Sequence, residues 1–350
     1  MSGLFKVSAS FCRDTTKAPP WLLLSGLAAS PSVLLTWYWR EEKRRDDQVN
    51  KRDEHLLAYE SGIAGRFTKA AELLANVDLM ARTAGLFALW DIARESSAHR
   101  PTVNRTIAAY VRERAPRAIG LKQERGRETV TVVKPKPPKP DVQNALTILA
   151  DSHWSQPDWH SNGARIEADL RLTELSLVHL PGVNLSRTIL ARARLIYANL
   201  SLSNLVEAEL SNANLVGANL VGSNLTNASL YESNLRSARL NDAKLCGAKL
   251  SGAILCEALL AGADLSGASL VQADLTRASL ESANLKGADL TRANLIETNL
   301  GGANLVGADL ASAAMNGAIL RDALYDSSTK LPHQCDPAAE GMRLISTQRT

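Results

Sequence analysis

Aromatic residues are scarce, making up 5% of the 350 residues. That excludes a core dominated by large rings; the 45% of hydrophobic residues must build it from small aliphatic side chains. Cysteine is sparse too. Cys12, Cys246, Cys256 and Cys335 share no CxxC spacing and lie away from any histidine cluster, which argues against a disulfide framework or zinc site and for a reducing compartment. His153 and His160, the closest histidine pair, flank WSQPDW in a polar loop and are read as surface residues. GxSxG, HExxH, P-loop and GxGxxG motifs are missing from any suitable context. The sequence therefore nominates no catalytic, cofactor-binding or metal-binding residue.

What the chain does have is a period of five. Every fifth residue from Leu170 to Leu320 is leucine, except Met315. Two positions before each leucine stands a small residue, mostly alanine (Ala198, Ala208, Ala213, Ala218 and onward), otherwise Thr, Ser or Val as at Thr173, Val183, Ser203 and Thr298. The unit is A(N/D)LXX. A helix would scatter these leucines around its axis, and a straight strand would send them alternately to opposite faces. A coil with one pentad per side buries them all, because four sides close a square. Stacked at strand spacing, the pentads make about eight coils of about 20 residues, roughly 37 Å long. Leucine and the small residue point inward, and Asn or Asp sits at the bend.

These residues resemble the pentapeptide-repeat family over residues 166–320. The resemblance implies a β-solenoid, a right-handed quadrilateral β-helix, and proteins that are mostly interaction surfaces without catalytic residues. A coil of 20 residues places residue i on i+20. Glu257, Arg277 and Glu297 then share a column, Arg187 lies under Glu207, and both sets read as exposed salt-bridge ladders. Gly247, Gly267, Gly287 and Gly307 form a strip without side chains, read as turn glycines, with a docking strip as the alternative. Cys246 and Cys256 fall on opposite sides and cannot bridge. Asp289 under Asp309 reads as a tolerated repulsion rather than an acid/base pair.

A rod of this kind needs closed ends. Residues 321–350 are expected to form a C-terminal cap and tail, because Tyr325, Asp326, Thr329, Pro332, Asp336 and Pro337 resemble the YDxxTxxP and DP closing segment of such repeats. At the start, Leu172, Leu177 and Val183 are bulkier candidates for the interior and suggest a wider first coil.

Ahead of the rod, residues 1–17 form a tail and residues 18–39 carry no charge, enough for one transmembrane helix. Trp21 at one end, and Trp37, Tyr38 and Trp39 before Arg40, Lys43, Arg44 and Arg45 at the other, mark interfaces and favour an anchor over a signal peptide. Lys6, Arg13 and Lys17 before the span, against Arg40, Lys43, Arg44, Arg45, Lys51 and Arg52 after it, place the C-terminal bulk in the cytoplasm. Residues 40–115 read as a helical juxtamembrane segment with an αα pair of the HEAT kind: Leu79, Leu86, Leu89, Ile92 and Ala93 face Ile107, Tyr110 and Val111. GRFTKAAELL, ARTAGLFALWDIARESS, PTVNRTIAAYVRERAP and DVQNALTIL, over roughly residues 50–150, resemble the segment preceding the repeats in membrane-anchored bacterial pentapeptide-repeat proteins, although Ala84, Trp90 and Asp91 depart from it. Residues 116–140 read as a basic, proline-rich extended linker. Residues 141–165 read as a short helix capped by Asp141, then a loop.

Charge separates the remaining functions. Residues 1–140 hold 24 Lys and Arg against 15 Asp and Glu, whereas residues 166–320 hold 11 against 14. The resemblance admits DNA mimicry toward a type II topoisomerase such as gyrase, but mimicry needs a dense acidic surface that this rod lacks. The reading that follows is a membrane-tethered, non-catalytic scaffold, anchored through residues 18–39, offering a rod face to a protein partner and not to nucleic acid. Nothing in the sequence specifies that partner or the oligomeric state.

Overall fold

The computed structural model describes residues 31–116, 121–124, 127–130, 134–151, 168–333 and 335–345. The chain divides into two compact units, Met1–Gly65 and Arg66–Thr350. Most of the span expected at 18–39, and the pair His153 and His160, lie outside the described residues. From Pro31 the chain is already in α1 (Pro31–Leu74), which continues without a break past Trp39. Among the described residues no helix is long and apolar enough to cross a membrane.

Asp78 starts α2 (Leu79–Glu95) by accepting a hydrogen bond from the Ala81 amide at 2.9 Å. Pro101 in the first turn of α3 (Arg100–Arg114) costs nothing, since that turn has no intrahelical acceptor for its amides. The expected αα pair is present, and Leu86, Leu89, Ile92, Ala93, Ile107, Tyr110 and Val111 are buried in it. Leu79 is not: the first residue of α2 is 37% exposed. Gly85 lets α2 approach α1, for a Cβ there would stand 2.8 Å from the Ala70 carbonyl oxygen.

A third helix, α4 (Pro140–Leu149), packs on both. Its N-cap is Lys139, so Asp141 is not the cap expected from sequence. Asp141 is completely buried and accepts from Arg82 Nε at 2.7 Å, Tyr110 Oη at 2.6 Å and Arg114 at 3.2 Å. Burial alone would raise this carboxyl, but the hydrogen bonds from Tyr110 and Arg82 and the two guanidinium charges outweigh it and hold the pKa at about 2. Burial and the neighbouring carboxylate push Tyr110 up to about 12.

The linker also differs from expectation. Strands β1 (Leu121–Glu124) and β2 (Arg127–Val130) pair as an antiparallel hairpin. The prolines that suggested an extended spacer, Pro116, Pro135, Pro137, Pro138 and Pro140, all lie outside it, and the β-branched Thr129 and Val130 suit a strand.

From Asp169 onward the chain winds as the four-sided coil. Parallel single-residue bridges join i to i+20, from Asp169↔Ile189 to Asn304↔Leu324. In a typical pentad Asn214 N donates to Ala193 O, Leu215 N to Asn234 O and Gly217 N to Arg236 O, at 2.7–2.9 Å. Each corner closes with a bond such as Ala218 N to Leu215 O at 2.9 Å. The third residue of that turn, from Leu172 and every fifth position to Asp322, has a φ of 51° to 72°, the requirement of a type II turn. This corrects the reading of Leu172 and Leu177. Both occupy that outward corner, 45% and 39% exposed, and do not widen the core.

The repeated leucines and the small residues fill the interior, Leu205 to Leu235 being fully buried. Each buried leucine contributes about 1.5–3 kcal/mol. Inward hydroxyls at Thr173, Ser203, Ser223 and Ser233 bond within their own turn, as Ser203 Oγ does to Leu200 O at 2.6 Å, and Thr298 Oγ1 reaches Leu275 O of the preceding coil at 2.8 Å, so these five carry no unmet desolvation cost.

The first coil has no predecessor, and α3 and α4 stand in for one. Glu174 N donates to Ala115 O at 2.7 Å and Asn184 N to Ala150 O at 3.2 Å, the carbonyls just past the ends of the two helices. Arg112 donates to Asp169 O at 2.7 Å and Gln143 Nε2 to His179 O at 2.8 Å. Every side of the square thus receives a substitute bond. At the other end the register slips by one residue, Asp309 bridging Lys330. Asp326 takes the amides of Gly307, Ser328 and Thr329 at 3.1 Å. Strands β3 (Leu324–Tyr325) and β4 (Arg343–Leu344) pair in parallel to extend one side.

Candidate functional site

With helices over its first coil and a cap after its last, the rod offers its lateral surface. Four faces are numbered here by their first bend residues: Asp169 on the first, Glu174 on the second, His179 on the third and Asn184 on the fourth. The third face is uncharged over three coils, through 177–182, 197–202 and 217–222. Tyr197 is 56% and Leu202 is 71% exposed there, each lying over a glycine. A Cβ on Gly217 would collide with the Tyr197 ring and one on Gly222 with Leu202, so glycine makes room for both side chains. Asn219 Nδ2 donates to Asn199 Oδ1 at 3.2 Å between them. This is an apolar surface with an amide rung through it.

The first face is the opposite. Arg171, Arg187, Ile189, Ala191, Glu207 and Glu209 line a cavity of about 420 Å³. Its arginines already have partners: Arg187 meets Glu207 at 2.9 Å, and Arg171 meets Asp169 at 2.9 Å, which also holds Arg112 at 2.7 Å.

The columns expected from sequence are present in part. Arg187 and Glu207 pair as expected, and Arg277 pairs with Glu297 at 2.6 Å. Glu257 turns away from Arg277 to Ser237 Oγ at 3.1 Å and Arg236 at 3.2 Å, and these two hydrogen bonds lower its pKa. Asp309 is clamped by Lys330 at 2.6 Å, and that hydrogen bond lowers its pKa. Cys246 is exposed and Cys256 half-buried, both unbridged. Burial, with Asp274 Oδ2 at 3.0 Å, pushes the Cys256 thiol to about 11, so it is a poor nucleophile at neutral pH. The glycines at 247, 267, 287 and 307 all have positive φ, which supports the turn reading, and beside Gly267 and Gly287 there is open space.

One feature escaped the sequence reading. At most bends the Asn or Asp side chain accepts a bond from the amide two residues on, as in Thr226 N to Asn224 Oδ1 at 3.1 Å and Ser266 N to Asp264 Oδ1 at 3.1 Å. Five consecutive pentads break the rule, with Arg239, Lys244, Lys249, Ile254 and Leu259 in the bend position. These five side chains are exposed, whereas the bend residues of neighbouring pentads are half-buried. Among the described residues, no acceptor is found for the amides of Cys246 and Ser251, and no carboxylate pairs with Lys244 or Lys249. The signal was a run of departures from N/D, visible in the sequence once the bend position is read alone.

A family model for pentapeptide repeats matches in eight copies, over residues 168–205, 203–242, 238–281, 258–295 and 288–324. HetL, a pentapeptide repeat protein involved in heterocyst differentiation regulation in the cyanobacterium Nostoc, is 33% identical. That match covers 43% of this chain and 85% of HetL, with a TM-score of 0.23. A second pentapeptide repeat protein from Nostoc is 35% identical over 32% of this chain and 84% of its own, with a TM-score of 0.17. QnrB1, a plasmid-mediated fluoroquinolone resistance protein, is 17% identical over 49% of this chain and 90% of its own, with a TM-score of 0.29. No curated protein matches the chain.

Proposed function

This chain belongs to the pentapeptide-repeat family, and from that premise we propose that it is a non-catalytic scaffold whose rod docks a protein partner. The observation that carries the reading is the uncharged third face, where Tyr197 and Leu202 stand 56% and 71% exposed on a rigid hydrogen-bonded backbone. Large rigid side chains on a flat frame lose little entropy on binding, and such residues anchor protein interfaces. A near-neutral rod, 11 basic against 14 acidic residues over 166–320, does not favour DNA mimicry toward a topoisomerase.

The finer part of the proposal is tethering. Residues 18–39 are uncharged, flanked by tryptophans and followed by Arg40, Lys43, Arg44 and Arg45, a composition suited to a membrane anchor with the rod on the cytoplasmic side. Full-length protein should sediment with membranes and resist carbonate extraction. Recovery of the intact chain in the carbonate supernatant would remove the tether.

Docking is tested separately. A photo-crosslinking amino acid at Leu202 of the full-length protein should yield a discrete protein adduct in cells, and the same group at Asn212, on the corner between the first and second faces, should not. Equal labelling at both positions, or none at Leu202, would remove the third face as the docking surface.

A further inference from the structure

We propose that residues 134–140, KPKPPKP, are a second docking element: a preformed polyproline II ligand for a partner domain whose groove is lined by aromatic side chains and rimmed by carboxylates. This element lies outside the rod, and it goes beyond the docking proposed for the third face.

Backbone freedom is removed here residue by residue. Each of residues 134–139 either is a proline, whose ring holds φ at about −65°, or precedes one and is thereby pushed out of the α region. Polyproline II is what remains. Lys139, with φ −61° and ψ 150°, has that conformation, and Pro140 after it opens α4. The next residue anchors the segment, because Asp141 is the buried carboxylate gripped by Arg82, Tyr110 and Arg114. A partner therefore meets a ligand that has already lost much of its conformational entropy.

A polyproline II helix has three residues per turn, so its side chains form three edges. Pro135 and Pro138 make one edge and are half-buried. The other two edges are exposed, with Lys134, Pro137 and Pro140 on one and Lys136 and Lys139 on the other. A groove grips only two edges of such a prism, and these are the two left open. On them the prolines supply rigid apolar wedges for aromatic walls, and the lysines recur about 9 Å apart for an acidic rim. Among the described residues none of the three ammonium groups has a carboxylate partner. A membrane surface is the poorer match. It reads charge alone, usually from clusters of about four to eight basic residues, and gains nothing from the prolines between these three lysines.

The probe is an isotope-labelled SH3 domain with an acidic rim, which reads polyproline II through an aromatic groove, mixed with unlabelled full-length protein in neutral detergent micelles. Its groove resonances should shift and saturate. The variant Lys134→Glu/Lys136→Glu/Lys139→Glu keeps every proline and should bind about tenfold or more weakly, as attractive contacts become repulsive. Pro137→Gly loosens the backbone and removes an exposed wedge, and should weaken binding by a similar factor. Both variants should melt with the wild type, since none of the replaced side chains is buried. No shift at millimolar protein, shifts confined to residues outside the groove, or unchanged affinity in either variant overturns the proposal. Loss of the complex when phosphatidylserine is mixed into the micelles, with the three lysines then protected from acylation, assigns the segment to anionic lipid and overturns it too. The Leu202 crosslink in the same variants reads the third face alone, so failure of either site leaves the other standing.

Discussion

Replacing Asp141 by Asn tests how the helices hold the first coil. The carboxylate accepts from Arg82 at 2.7 Å, Tyr110 at 2.6 Å and Arg114 at 3.2 Å, and no part of it reaches water. Breaking a buried ion pair by removing one partner costs about 3–5 kcal/mol, because the other charge is stranded. Asn keeps an acceptor oxygen for Arg82 and Tyr110, so the loss at pH 7 should be smaller, about 2–3 kcal/mol, with Asp141→Ala nearer the full range. The pH profile distinguishes charge from shape. Folded Asp141 has a pKa of about 2 against an ordinary 3.8. The unfolded chain therefore takes up the proton first: the stabilisation is complete above about pH 4 and disappears as pH falls toward 2, amounting to about 2 kcal/mol. Denaturant titrations of wild type and Asp141→Asn should converge over that window. Amide hydrogen exchange at Glu174 and Asn184, which bond to Ala115 and Ala150, should accelerate in the variant. A gap between the two proteins that stays constant from pH 7 to pH 2, or unchanged exchange at those amides, would refute the reasoning.

Leu250→Lys should cost several kcal/mol in thermal melts, since it buries an unpaired ammonium, while Ser251→Lys on the outer corner should be nearly silent. Gly85→Ala should destabilise the helical cluster by about 1–3 kcal/mol, because its methyl would meet the Ala70 carbonyl oxygen at 2.8 Å; a variant as stable as the wild type would contradict that close approach. Thr329→Val removes an oxygen that accepts from Gly307 N at 3.2 Å and Asp326 N at 3.1 Å, and should speed exchange at Gly307 at a cost of about 1–3 kcal/mol.

The rod was legible because its information is local: a leucine and a small residue at fixed spacing force one geometry on every pentad. Columns such as Arg187 over Glu207 followed from the coil length alone. Leu172 and Leu177 were misread because bulk was taken as a sign of burial, although the second X of LXX is always an outward corner. What joins the helices to the rod is not local. Arg82 and Asp141 lie 59 residues apart and Arg112 and Asp169 57 apart, and no periodicity connects them. The hairpin at 121–130 was hidden by prolines on either side of it.

The twenty-residue register also makes the rod a vernier. Deleting or inserting 20 residues within it would change its length by one coil, about 4.8 Å, and leave every column on its own face. Deleting or inserting five would turn everything beyond that point by a quarter revolution, so that the cap at Asp326, and whatever docks near it, would point a different way relative to Tyr197 and Leu202. Spacing and bearing between any two points on the rod are thus separately adjustable, in steps whose size the coil dictates.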